Sequence, residues 1–148
     1  MRMTETLFCK NFSITGGNFA GGGSASVEIK NILKETGFDV QMIRRVAIAS
    51  YEAEMNVVMY GEGGGMELAI RPHEICITVE DEGPGIENIE MAMQEGYSTA
   101  TDEMREMGFG AGMGLPNIKR NADEMNIETA AGKGTKLVLI FRTDNGSD

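Results

Sequence analysis

Apolar and polar residues alternate over residues 5–14, which predicts a β-strand. The stretch from Thr15 to Gly23 that follows is so rich in glycine that ordering it inside an element would cost too much entropy, so it is expected to be a loop. Ser24 or Ser26 is then placed to cap a helix, whose apolar face is marked by Ala25, Ile29, Ile32 and Leu33 at helical spacing. Gly37 stops that helix. Asp39 opens a longer one, running to about Tyr60 and ended by Gly61, with Ile43, Val46, Ala47, Ala53 and Val57 as its buried stripe. Two strands are predicted at about 66–71 and 74–80, joined by a turn at Pro72-His73. A short helix is expected over 87–95, a loop over 96–114, and a helix from Leu115 to about Met125. Strands at about 126–130 and 136–142 then pair through Ala131-Gly132-Lys133-Gly134, and residues 143–148 read as a frayed tail.

Helices on one face of a mixed, mostly antiparallel sheet make a two-layer sandwich of the α/β (α+β) class. The chain of 148 residues shows no internal repeat and no long linker, which predicts one domain over 1–148. The net charge of −10 opposes a nucleic-acid partner, because phosphate backbones require clustered Lys and Arg. No apolar run approaches the ~20 residues of a membrane span. The N-terminus does not follow the charged-then-apolar plan of a signal peptide, so a cytoplasmic location is expected. Cys9 and Cys76 lack metal-ligand spacing and read as small buried hydrophobes in a reducing compartment. The single histidine, His73, is expected in a hairpin turn.

Four short stretches carry candidate chemistry. Glu52 and Asn56 are four residues apart on one helix and share a face. The Asn56 carbonyl oxygen suits Mg²⁺, which takes few protein ligands, and Glu52 can accept a proton from a hydroxyl or a water. Taken alone, the pair equally describes a solvated helix face. Glu54, between them, is expected to lie on the surface. Asp81 ends the apolar strand Ile75–Val79. As a carboxylate it accepts hydrogen bonds only, which suits the amino group of adenine, and Gly83 and Gly85, ahead of Ile86, let the backbone approach the base. A tight strand-to-helix turn would use the same residues.

Between Gly108 and Gly114 every second residue is glycine, Gly110 and Gly112 included, and a helix follows at once. Backbone N–H groups at a helix start favour anions, which offers an acidic protein a way to bind a triphosphate. Lys119 and Arg120, placed on the first turns of that helix, would add positive charge. Residues from Ser98-Thr99 to Met107 would form a lid, within a loop spanning about 96–114. Thr135, after Gly134, can reach a base edge through water, although a hairpin turn explains the glycines equally well. There is no G-x-x-x-x-G-K-[ST] P-loop anywhere in the chain.

Taken in order, these stretches resemble the Bergerat-fold (GHKL) ATPase superfamily of histidine kinases, MutL and type II topoisomerases. Glu52-x-x-x-Asn56 resembles its N box, Asp81-x-Gly83-x-Gly85-Ile86 its first glycine box, Gly112-Met113-Gly114-Leu115 its second, and Gly132-x-Gly134-Thr135 its third. The resemblance covers roughly residues 40–142. Within the superfamily the chain looks most like the anti-sigma-factor and switch serine/threonine kinases, nearer the RsbT branch than RsbW or SpoIIAB. Glu95-Gly96-Tyr97-Ser98-Thr99 and Gly112 through Arg120 carry that likeness. Residues 100–111 depart from it, making the lid longer and richer in charge and Met.

The resemblance implies an ATP- and Mg²⁺-dependent serine/threonine protein kinase. In it Glu52 is the catalytic base, Asn56 holds Mg²⁺ and Asp81 holds adenine, while Gly83, Gly85, Gly112 and Gly114 shape pocket and lid. The implied substrate is a protein of the anti-sigma-antagonist type, with a sigma factor or phosphatase as further partners. Members of the family often dimerise, so a homodimer is an open state. Two alternatives remain on sequence grounds. One is an ATP-gated binding module that transfers no phosphate. The other is a histidine-kinase catalytic domain acting in trans.

Overall fold

The computed structural model describes residues 6–14, 23–60, 63–81, 114–129 and 134–143. In chain order these form β1 (Phe8–Ile14), α1 (Ser24–Thr36), α2 (Val40–Tyr60), β2 (Gly64–Arg71), β3 (Glu74–Asp81), α3 (Gly114–Asn121), β4 (Glu124–Thr129) and β5 (Thr135–Arg142). The expected helix at 87–95, the lid, and the glycine loop up to residue 22 lie outside the described residues.

The strands form one sheet in the order β1-β2-β3-β5-β4, and every pairing described is antiparallel rather than mixed. Residues two apart in a strand share a face, and neighbouring strands carry those rows across the sheet. Ile70, Ile75 and Phe141 form one row, Leu68, Ile77 and Leu139 the next, and Met66, Val79 and Leu137 a third. All nine side chains are buried, and they pack in one core with Ile29 and Leu33 of α1 and Val46, Ala53 and Val57 of α2. The opposite face carries charge pairs such as Arg71–Glu74 at 3.0 Å and Lys136–Glu80 at 4.0 Å. The apolar face is thus the helix-covered one that the two-layer pattern predicted.

The turn chemistry largely follows expectation. Gly37 closes α1 at φ 96°, a left-handed conformation that costs glycine nothing, and its N–H returns to Leu33 O and Lys34 O. The Asp39 side chain caps α2, accepting from Met42 N at 2.9 Å. His73 is exposed in the β2–β3 turn, and its carbonyl accepts from Thr143 N at 3.1 Å.

Three expectations need correction. The helix after the glycine motif stops at Asn121, not Met125. Asp123 N donates to Ile140 O at 2.8 Å while its carboxylate accepts from Arg142 N at 2.6 Å, so the chain is already captured by the sheet edge. From there Met125 and Ile127 alternate inward with polar residues between them, a period of two that outweighs helix propensity. Cys9 is exposed rather than buried, on the edge strand β1; Cys76, on an inner strand, is buried as expected. The Cys9 thiol donates to Glu67 Oε2 at 3.2 Å, and that bond to a carboxylate raises its pKa. Finally, neither Ser24 nor Ser26 caps α1; a residue of α2 does so.

Candidate functional site

Glu52 and Asn56 sit on the flank of α2, between its buried and exposed sides. Ala53 and Val57 face the core, Tyr51 is exposed, and the two polar residues beside them are half-buried. Only residues 61–63 separate the end of α2 from the start of β2, where Gly64 pairs with Asp81. Asn56 is four residues before that helix end, about 6 Å of rise. The α2 pair therefore lies at the end of the sheet that carries Asp81.

That end of the sheet is organised by register. Gly64 pairs with Asp81, and Asp81 with Thr135. Asp81 is two residues beyond Val79, and Thr135 two before Leu137, so both project to the helix-covered face. Asp81 and Thr135, both expected at the nucleotide pocket, are cross-strand neighbours. Gly64 permits this. A Cβ on it would stand 2.1 Å from Glu80 O and 2.9 Å from the Asp81 Cα, so only glycine lets β2 lie so close to the end of β3.

α3 completes the arrangement. It starts at Gly114, the last glycine of the alternating motif, and Ile118 and Leu115 seat it in the core. The Leu115 side chain is therefore an anchor, and what this segment offers to a ligand is its backbone. The far end is fixed to α2 by Arg45, whose Nε donates to Asn121 O at 2.9 Å and whose Nη2 lies 3.2 Å from Asp123 Oδ1. Lys119 and Arg120 fall in the last turn of α3, not its first, because the helix is only eight residues long. Gly83, Gly85, Ile86, Ser98, Thr99, Gly110, Gly112 and Met113 lie outside the described residues.

Glu52 lies within reach of the Asn117 side chain on α3. Burial raises the pKa of the Glu52 carboxyl above the ordinary carboxylate value, and the Asn117 side chain opposes that rise. Asn117 escaped the reading of the sequence, although its i, i+3 spacing to Arg120 on a glycine-started helix was visible.

Glu54 was misjudged as surface; it is 2% exposed. Its Oε2 accepts from Gly23 N at 3.1 Å and Ala25 N at 3.2 Å, and its Oε1 from Ser26 N at 2.9 Å. It satisfies the N–H groups that open α1, and its negative charge sits at the positive end of that helix. Ser26 Oγ, assigned to capping, instead donates to Gly23 O at 2.9 Å.

These residues suit a magnesium–nucleotide ligand by donor chemistry. Asp81 is an acceptor beside a hydroxyl, Asn56 offers a neutral oxygen on a half-buried flank, and the backbone at Gly114 opens a helix. Among the described residues no group of three or more His, Cys, Asp and Glu side chains could hold a metal by itself. Mg²⁺ in general takes few protein ligands and shares its coordination with substrate phosphates.

Comparison with known proteins points the same way. Residues 29–145 match the family described as histidine kinase-, DNA gyrase B-, and HSP90-like ATPase. The chain is 35% identical over 115 residues to serine/threonine-protein kinase RsbT of Bacillus subtilis, an alignment covering 75% of this chain and 80% of RsbT. It is 33% identical over 120 residues to the anti-sigma F factor of Clostridium acetobutylicum, covering 78% of this chain and 80% of that protein. Two solved structures share the fold. One holds the RsbU and RsbW domains of a Mycobacterium tuberculosis protein, with TM-score 0.62 at 19% identity; the match covers 93% of this chain and 34% of that one. The other is the SiaB–SiaC complex of Pseudomonas aeruginosa, with TM-score 0.60 at 15% identity, covering 92% and 89%.

Proposed function

Because the chain belongs to the histidine kinase-, DNA gyrase B- and HSP90-like ATPase family, we propose that it is an ATP-dependent serine/threonine protein kinase of the anti-sigma regulatory type. Its substrate is an anti-sigma-antagonist-like protein, and a sigma factor or phosphatase completes a partner switch. The relatives support this reading by name, as a serine/threonine kinase and as anti-sigma factors. The observation that carries it is structural: a half-buried carboxylate and amide on α2 stand at the end of the sheet where Asp81 and Thr135 pair. No helix among the described residues is long and apolar enough to cross a membrane.

ATP with Mg²⁺ supplies the phosphoryl group and neutralises much of its charge. The chain's own residues position it. Asp81 accepts from the adenine amino group, and Thr135 beside it reaches the base edge through water. Asn56 would hold Mg²⁺ through its carbonyl oxygen. Backbone N–H groups at the start of α3 face the phosphates, with Lys119 adding charge on the same helix. Glu52 orients the substrate hydroxyl and takes its proton as the new O–P bond forms and the bond to the departing ADP breaks. Most of the work is positioning and charge stabilisation, which a rigid α2 and α3 are suited to deliver.

Gly64→Ala tests the close packing behind Asp81. The added methyl forces β2 and β3 apart at their ends. ATP affinity should fall about tenfold, equivalent to about 1.4 kcal/mol, with a loss of about 1–3 kcal/mol in stability. Calorimetric titration and thermal melts read the two effects separately, and unchanged affinity would detach Asp81 from the pocket.

The reading as a kinase is tested by incubating the protein with γ-labelled ATP and an anti-sigma-antagonist-like protein. The expected result is acid-stable label on a Ser or Thr of that protein. Tight ATP binding with label on no partner would make the chain a nucleotide-gated binding module instead.

A further inference from the structure

One guanidinium on α2 holds the far end of α3 by two contacts. Arg45 Nε donates to Asn121 O at 2.9 Å, and Arg45 Nη2 lies 3.2 Å from Asp123 Oδ1. The same Asp123 carboxylate accepts from Arg142 N at 2.6 Å, and Asp123 N donates to Ile140 O at 2.8 Å. Arg45 therefore grips both the last residue of α3 and the residue by which the chain enters the sheet. Asn121 O is among the carbonyls that a helix leaves unsatisfied at its C-terminus. It belongs to the negative pole of α3, where a cation is favourable. Each side chain of the Arg45–Asp123 pair is 33% exposed, so water screens their charges only in part.

Arg45, Ala49, Glu52 and Asn56 recur at helical spacing and form one stripe of α2. Glu52 lies within reach of Asn117, one turn before Asn121. Helix α3 thus runs antiparallel along this stripe, with Asn121 at Arg45 and Gly114 toward Asn56. Its eight residues span about 12 Å and are too few to hold a helix by themselves. Buried Leu115 and Ile118 seat it by apolar packing, which is not directional. The Arg45 bonds are directional, and they stop α3 from sliding along α2. From this we infer that Arg45 is the positioning residue of α3. It sets how far the N–H groups that open the helix reach toward the nucleotide phosphates. It acts through the helix and not by contact, since Asn56 stands about 16 Å further along α2. This role rests on reading the start of α3 as the phosphate end of the pocket.

The test compares ATP with adenosine, titrated with Mg²⁺ into the whole chain and its variants. Arg45→Met keeps the apolar stem and removes the bonds. It should weaken ATP about tenfold and leave adenosine within about twofold, because adenosine carries no phosphates for α3 to meet. Arg45→Lys keeps the charge without the fork and should recover part of the loss. Asp123→Asn keeps an acceptor for Arg142 N but loses the ion pair, and should weaken ATP about threefold. In the double variant with Arg45→Met the two losses should not add, because they remove one shared contact. Unchanged ATP affinity in Arg45→Met overturns the inference. So does a loss in equal proportion for ATP and adenosine, which is what general damage to the fold would give. Should Arg45→Met fail to fold, Asp123→Asn carries the same comparison, and its unchanged ATP affinity overturns the inference. If the unsubstituted protein binds adenosine as tightly as ATP, the failure lies in placing the phosphates at α3, and the role of Arg45 falls with it.

Discussion

Glu54→Ala should destabilise the protein by roughly 3–5 kcal/mol, the largest loss expected from any single polar substitution in the described residues. The glutamate is fully inside the fold and takes the N–H groups of Gly23, Ala25 and Ser26. Truncation leaves those donors facing a cavity, and each unsatisfied buried donor costs about 1–3 kcal/mol. It also removes the charge that faces the positive end of α1. A chain of this size should melt roughly 10 °C lower. Glu54→Gln should fall between the two, because the amide keeps one acceptor oxygen and turns a donor toward a donor. Chemical denaturation of all three proteins reads the series. A loss under about 1 kcal/mol in the alanine variant would mean that water replaces the cap and that the carboxylate does not hold α1 to α2.

Glu52→Gln should bind ATP as tightly as the unsubstituted protein and lose phosphotransfer by about 100-fold or more. The amide has nearly the same shape, but it cannot accept the hydroxyl proton. Burial supplies a second signature, since it raises the pKa of the Glu52 carboxyl. The base works when ionised, so transfer should fall as pH drops through that raised pKa. Removing the Asn117 side chain, which lowers the pKa, should move this acid limb higher still. Single-turnover transfer across pH checks both points. Full transfer by Glu52→Gln would remove the residue from the chemistry.

Much of this was legible in the sequence because it is local. The i, i+4 spacing placed Glu52 and Asn56 on one flank of α2. The strand ending at Asp81 and the strand beginning at Thr135 could each be read from their own alternation, and pairing them made the two residues neighbours. What escaped depends on contacts distant in sequence. The donors that Glu54 satisfies lie 28 to 31 residues away, and a charged residue beside two other polar positions on a helix reads as solvated until α1 is packed against it. Asn117 and Glu52 are likewise brought together only by the packing of α3 on α2. Cys9 was misread for a related reason: alternation identifies a strand but does not say that it will be the edge of the sheet. The true end of α3 was hidden because Asp123 and Glu124 are tolerable in a helix, and only the register with β5 stops it.

Calorimetric titration of ATP, with and without Mg²⁺, into the unsubstituted protein and Asp81→Asn tests the central claim most directly. Asp81 and Thr135 form the base end of the proposed pocket, and Asn turns a donor toward the adenine amino group. The expected result is Mg²⁺-dependent binding that the single substitution weakens at least about 100-fold, equivalent to about 2.7 kcal/mol, with the melting temperature nearly unchanged. Equal affinity in the two proteins would contradict the placement of the nucleotide at this end of the sheet, and with it the roles given to Glu52 and Asn56.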